Sequence, residues 1–175
     1  NLIGLNKEFL ASGRLDNLGS SIPALYAMIN ASKDELLAEQ SSINIIALFD
    51  NEEIGSMTYQ GADSNFFLMH LKRIFSQSLN ITKTPYSEDL YMRFMAKSYV
   101  ISADLAHAYN PNYSEKFQSE HKNLMQQGVV LKINVNGRYS TESENAAVFK
   151  ELGKLCNVPI QEFIVRQDSP CGTTI

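Results

Sequence analysis

Apolar and polar positions along the chain switch between two periods. Residues 22–29 place Ile22, Leu25, Tyr26 and Ile29 on one helical face, with Pro23 best suited to a first turn, where its missing N–H costs little. Residues 43–49, "INIIALF", are a short apolar run of the kind buried on both faces of a parallel sheet, which predicts a central strand. Phe67, His70, Leu71, Ile74, Phe75 and Leu79 recur at helical spacing over 66–79, and a second helix over 87–97 opens on Ser87 as cap. Both helices are expected to pack on the sheet. "SYVISAD" at 98–104 reads as a strand ending in an acid, and "VVLKINVN" at 129–136 alternates as a half-exposed strand does, closing in a turn at Asn136 and Gly137. Thr141 and Glu144 have the spacing of a capping box for a helix whose Val148, Phe149, Leu152, Leu155 and Cys156 share a face, and "IQEFIVR" returns as a strand. Alternation of this kind predicts an α/β domain spanning 1–175, a three-layer α/β/α sandwich with a mixed, largely parallel sheet whose ligands bind beyond the carboxyl ends of the strands.

Composition narrows the functional classes. The 175 residues are 44% hydrophobic, enough for one sizeable core, and show no internal repeat or low-complexity tract. The formal net charge is -4, with lysines and arginines scattered rather than gathered into a stripe, so neither nucleic acid nor an anionic membrane is an expected partner. No apolar run has the length of a membrane span and the N-terminus lacks a signal-peptide pattern, which places the protein in the cytoplasm. Cys156 and Cys171 stand in different elements without a CxxC spacing and read as free thiols. The chain starts at Asn1 and stops in "SPCGTTI", as if a new element were beginning, so a piece of a longer protein is expected.

The acids give the pattern its chemistry. Asp50, Glu52 and Glu53 fall within four positions after the strand ending at Phe49, where like charges repel and raise one another's pKa. Asp104 ends the strand from Ser98, and Asp16 stands in "SGRLDN" at the mouth of the first helix. Three separate segments can thus bring carboxylates to one sheet edge, where hard oxygen ligands suit a divalent cation that removes their repulsion and lowers the pKa of a bound water. Taken singly, each signal has a plainer reading. "DNEE" reads first as a solvated acidic turn, Asp16 and Asp104 as helix caps, His70, His107 and His121 as packing or exposed residues, Lys132 and Arg166 as outward-facing charges, and Tyr139 as half-buried.

Their order and company decide otherwise. "SGRLDN" (12–17), "ALFDNEEIGSMTYQGADS" (47–64), "SADLAHAYNPNY" (102–113), "GVVLKINVNGRYST" (128–141) and "PIQEFIVRQDSPCGTTI" (159–175) together resemble the aspartyl aminopeptidase family of dinuclear zinc exopeptidases, over nearly the whole chain. The resemblance implies a catalytic domain of zinc-exopeptidase type holding two divalent metal ions, zinc first, with manganese or cobalt able to occupy such ligands. It makes Asp16 the carboxylate bridging both metals, Glu53 a ligand of one, Asp104 a ligand of the other, and Glu52 the general base that takes a proton from a metal-activated water. Lys132 and Tyr139 match positions facing the substrate, and a cation there suits an acidic N-terminal residue. Arg166 and Asp168 take supporting roles near the site. Peptides are the implied substrates, and dimers building a homo-dodecamer the implied assembly.

The departures from the family pattern set the remaining expectations. A histidine in an upstream HxD motif and another near the C-terminus, one per metal, match none of His70, His107 and His121, so each metal keeps two of its three protein ligands here. The inserted dimerisation domain is expected upstream of Asn1. Pro23 and Asn110 also differ from the family pattern. The chain therefore reads as the C-terminal part of a catalytic domain incomplete at both ends, inactive by itself, within a parent zinc aminopeptidase selective for N-terminal Asp or Glu. The competing reading is a catalytically silent α/β module with a structural or assembly role.

Overall fold

The computed structural model describes residues 1–166, 168, 169, 171 and 172, in two units, Asn1–Ala103 and Asp104–Ile175. Among the described residues, helices are accompanied by two small sheets, one antiparallel and one parallel, an α/β composition.

The first unit opens with a short antiparallel pair, β1 (Leu2–Ile3) and β2 (Phe9–Leu10). It continues through α1 (Leu15–Ala31), α2 (Asn65–Thr82) and α3 (Glu88–Ala96). Helix α1 starts earlier than its apolar period indicates, so Pro23 lies inside the helix rather than in its first turn. A single missing N–H costs one hydrogen bond, and the flanking turns carry the helix past it. The face formed by Ile22, Leu25, Tyr26 and Ile29 is exposed. Ser64 and Ser87 cap α2 and α3 by accepting from the Phe66 and Leu90 amides, as the sequence predicts for Ser87. The two helices meet through rings: Phe75, 7% exposed, packs against Tyr86, Tyr91 and Phe94, with centroids 4.6 to 6.4 Å apart. Among the described residues of this unit the strands are the two-residue β1 and β2, too short to give either helix the sheet that the sequence reading expects.

Residues 43–49 correct the sequence reading. They form no strand among the described residues, and Ile43, Ile45 and Leu48 are exposed. An apolar run becomes a buried strand only where neighbours complete its ladder. Phe49 is anchored differently, by an edge contact to Phe67 of α2 at 5.4 Å. Residues 98–104 likewise form no ladder among the described residues.

The second unit is built on a βαβ unit: β3 (Val129–Ile133), α4 (Ser143–Leu155) and β4 (Ile160–Ile164), with the strands parallel from Val129 opposite Ile160 to Ile133 opposite Ile164. Strand β3 stops three residues short of the predicted end. The Asn134 side chain accepts from the Asn136 amide at 2.9 Å and the Arg138 amide at 3.4 Å, and this local turn outcompetes the ladder. Helix α4 begins at Ser143 with Glu142 as an extended cap residue lacking a side-chain cap bond, so the Thr141–Glu144 box is one residue out of register. Gly153 lets α4 approach β4, since a Cβ there would lie 2.4 Å from the Ile160 side chain. Phe163 closes the small core beneath Phe117, whose ring stacks edge-on at 5.9 Å. Among the described residues no helix is long and apolar enough to cross a membrane.

Candidate active site

Asp16 sits on a non-helical step. Arg14 is left-handed (φ 60°), and Asp16 and Asn17 keep extended or irregular dihedrals before the regular turns of α1 begin. The Asp16–Asn17 peptide is cis. The carboxylate is therefore presented at the helix mouth by backbone outside the helical ladder. Beside it, Asn17 donates through Nδ2 to the Ala103 carbonyl at 2.7 Å, while its Oδ1 is buried with no hydrogen-bond partner.

Glu52 and Glu53 open a single 3₁₀ turn, Glu52–Ile54, bracketed by left-handed Asn51 (φ 62°) and Gly55 (φ 99°). Asn51 is pinned by its side chain to Thr58 at 2.8 Å, and its carbonyl receives the Ser56 amide at 3.0 Å. The loop behind the turn closes where Gly61 passes so near Ser56 that a Cβ would stand 1.9 Å from its carbonyl oxygen. With three residues per 3₁₀ turn, the neighbouring glutamates point about 120° apart, so one can face a ligand while the other faces a second group. Both are exposed, as is Asp16.

In the second unit Asp104, Lys132 and Tyr139 come together. The Lys132 ammonium donates to Asp104 Oδ2 at 2.7 Å and to the Leu105 carbonyl at 3.0 Å, and lies 5.9 Å from the Tyr139 ring centre. The pair is well shielded, with 17% of the Lys132 side chain and 29% of that of Asp104 exposed. Asn134, just past the end of β3, donates to the Cys171 sulfur at 3.3 Å. Burial pushes the Tyr139 phenol up, with the neighbouring Cys171 and the Asp104 carboxylate adding to the effect, so the phenol stays protonated through neutral pH. Lys132 is thus no outward-facing charge; it ties Asp104 to β3.

Residues 105–109 are irregular rather than helical. Their polar backbone is held from outside: Asn123, 2% exposed, donates through Nδ2 to the His107 carbonyl at 2.8 Å, and its own carbonyl receives the Tyr109 amide at 2.8 Å. Sequence reasoning missed Asn123, which stands in a polar stretch outside every motif. Asn134 and Cys171 lie inside two of the motifs, where their spacing could have drawn notice. His70 hydrogen-bonds the Phe66 carbonyl one turn back, and His121 lies between Gln118 and Glu162. Arg166 grips Asp168 with two nitrogens and reaches the Glu115 carbonyl, and it holds the Asp168 carboxyl below its ordinary value. Both cysteines are free thiols.

Among the described residues no three of His, Cys, Asp or Glu stand together so as to hold a metal ion. What the first unit offers beside α1 is the orphaned Asn17 oxygen next in sequence to the Asp16 carboxylate; a buried oxygen acceptor of this kind matches a divalent cation, and zinc accepts carboxylate oxygens.

The family described as Aminopeptidase I zinc metalloprotease (M18) matches residues 1–175. Aspartyl aminopeptidase 4 of Saccharomyces cerevisiae is 44% identical over 175 residues, covering 98% of this chain and 35% of that protein. Among solved structures, the cryo-EM structure of the Ape4 and Nbr1 complex superposes with a TM-score of 0.87 at 39% identity, over 99% of this chain and 32% of the other. The mApe1 dodecamer of Saccharomyces cerevisiae superposes at 0.77 with 31% identity, over 94% and 36%. The chain spans about a third of the length of the relatives it matches.

Proposed function

The chain belongs to the M18 family of zinc metallo-aminopeptidases, and from that membership we propose that its parent protein removes N-terminal Asp or Glu residues from peptides. The observation that carries this reading is the end-to-end match to the family, joined by relatives near 40% identity that bear the name aspartyl aminopeptidase. A silent module loses its ground on the same observation.

Zinc, when bound, supplies a Lewis acid that polarises the scissile carbonyl and acidifies the attacking water. In this reading Asp16, Glu53 and Asp104 would supply carboxylate ligands to zinc, and histidines elsewhere in the parent would complete the shells. Glu52 accepts the proton of the attacking water and passes it to the leaving amine. Its divergence from Glu53 in the 3₁₀ turn lets base and ligand be adjacent without competing. Lys132 has three N–H donors. Two go to Asp104 and Leu105, which leaves one for the carboxylate of an acidic N-terminal residue. Tyr139, protonated and beneath the ammonium, walls that position and adds a weak cation–π attraction.

The exposed apolar faces of the first unit support the further proposal that both units are parts of one catalytic domain, a three-layer α/β/α sandwich whose sheet is completed by other segments of a cytoplasmic parent. The solved dodecameric relative supports dimers building a homo-dodecamer. Metal analysis of the full-length parent, alongside turnover of peptides beginning with Asp, Glu and Leu, tests the reading. It predicts bound zinc and preference for the acids; a metal-free protein that cleaves none of the three would overturn it.

A further inference from the structure

Segment 104–109 forms no ladder among the described residues, yet it carries Asp104. Its backbone is fixed from two sides within the second unit. Lys132 holds the Asp104 carboxylate and the Leu105 carbonyl. Asn123 holds the His107 carbonyl through its side chain and the Tyr109 amide through its own carbonyl. Asn123 is in turn fixed to the sheet: the next residue, Leu124, donates its amide to Gln161 Oε1 of β4 at 2.8 Å, and its carbonyl receives Gln161 Nε2 at 3.1 Å. Bonds therefore run from β4 through Leu124 and Asn123 to the loop that bears Asp104.

Asn123 is an unusual choice for a merely structural position. Its side chain is almost wholly buried, and its Oδ1 has no hydrogen-bond partner, so the amide carries the cost of an unsatisfied acceptor. An apolar residue of the same shape would avoid that cost but leave the His107 carbonyl without its donor, so stability is nearly indifferent to the choice and the amide's distinct contribution is its hold on that carbonyl.

We infer that Asn123 is a positioning residue, which sets the height of the 104–109 backbone so that Asp104 presents its free carboxylate oxygen in register. Lys132 occupies Oδ2, so the direction of Oδ1 depends on where the loop places the Asp104 backbone. The inference rests on the reading of Asp104 as a zinc ligand.

The test uses the full-length parent protein with Asn123→Leu and Asn123→Asp, the second keeping shape while replacing the donor by a carboxylate that repels the His107 carbonyl. Hydrogen exchange of the 104–109 amides is measured together with zinc affinity, kcat, KM and melting temperature. Expected for Asn123→Leu are faster exchange at 104–109, zinc affinity lowered by about tenfold, as for other groups that orient metal ligands, and a fall in kcat with KM little changed. Its melting temperature should barely move, since removing the orphaned oxygen offsets orphaning the His107 carbonyl. Asn123→Asp should show the same losses, larger. Unchanged exchange at 104–109 would overturn the inference, and so would faster exchange with unaltered zinc affinity and kcat. If the unsubstituted parent binds no zinc, the reading of Asp104 fails and takes the inference with it, a result visible before any variant is compared.

Discussion

Lys132→Met in the full-length parent separates two jobs the ammonium can do. The substitution keeps much of the aliphatic stem and deletes the charge. One loss is common to all substrates: the contact with Asp104 at 2.7 Å, between side chains 17% and 29% exposed. Exposed pairs contribute up to about 1 kcal/mol and breaking buried ones costs about 3 to 5 kcal/mol; this intermediate burial puts the loss near 2 kcal/mol. It acts through Asp104 and lowers turnover of Asp, Glu and Leu peptides alike. The second loss falls on acidic substrates only, because the third donor meets the carboxylate of the N-terminal residue. A hydrogen bond to a charged group contributes about 1.5 to 3 kcal/mol, which at about 1.4 kcal/mol per decade is roughly a 10-fold to 150-fold change. The assay is the ratio of kcat/KM for Asp to that for Leu peptides, in the parent and the variant, because the Asp104 contribution cancels in that ratio. The ratio should fall by at least tenfold. Equal losses on both peptides would refute the substrate-facing role and leave Lys132 as the partner of Asp104 alone.

Three further outcomes are expected. Glu52→Gln should lower kcat by roughly 100-fold to 10,000-fold with zinc content unchanged, as loss of a general base does, whereas Glu53→Gln should lower zinc content and activity together; assayed side by side with metal analysis, the opposite pattern would exchange their roles. Gly61→Ala places a Cβ 1.9 Å from the Ser56 carbonyl oxygen, so the loop must shift and carry the Glu52–Ile54 turn with it; kcat should fall while a Gly137→Ala control, where nothing lies within reach of the new Cβ, loses only what its positive φ costs. Lys150 donates to Glu162 and holds its carboxyl below the ordinary 4.5, so the pair's contribution is complete above that value and is lost as pH falls through the lowered folded value; denaturant unfolding in the acid range should show a shallower acid loss in Lys150→Met, and parallel profiles would exclude the pair as its source.

Helices were legible because their signal is local. The spacing of Phe67, Leu71, Phe75 and Leu79, and the hydroxyl of Ser87 ahead of Glu88, act within a turn or two of chain, and α2 and α3 follow them. The parallel strands β3 and β4 were legible too, since β-rich runs separated by a helical segment leave little but a βαβ unit. The ordered motifs, from Asp16 to Asp168, carried a resemblance to the family, which the match over residues 1–175 bears out. Other outcomes depended on partners that no local pattern names. The run 43–49 has a strand's sequence and no ladder partner among the described residues, because pairing is a property of two segments. Strand β3 ended at Ile133 because the Asn134 side chain found the Asn136 amide, a competition decided by geometry. Lys132 alternates along its strand as a solvent-facing charge would, and only the path of residues 104–109 brings Asp104 within 2.7 Å of it. Asn123 gave no sign at all, because burial and backbone acceptors sixteen residues away are made by the fold, and it is the fold that turns an ordinary amide into the support of the loop bearing Asp104.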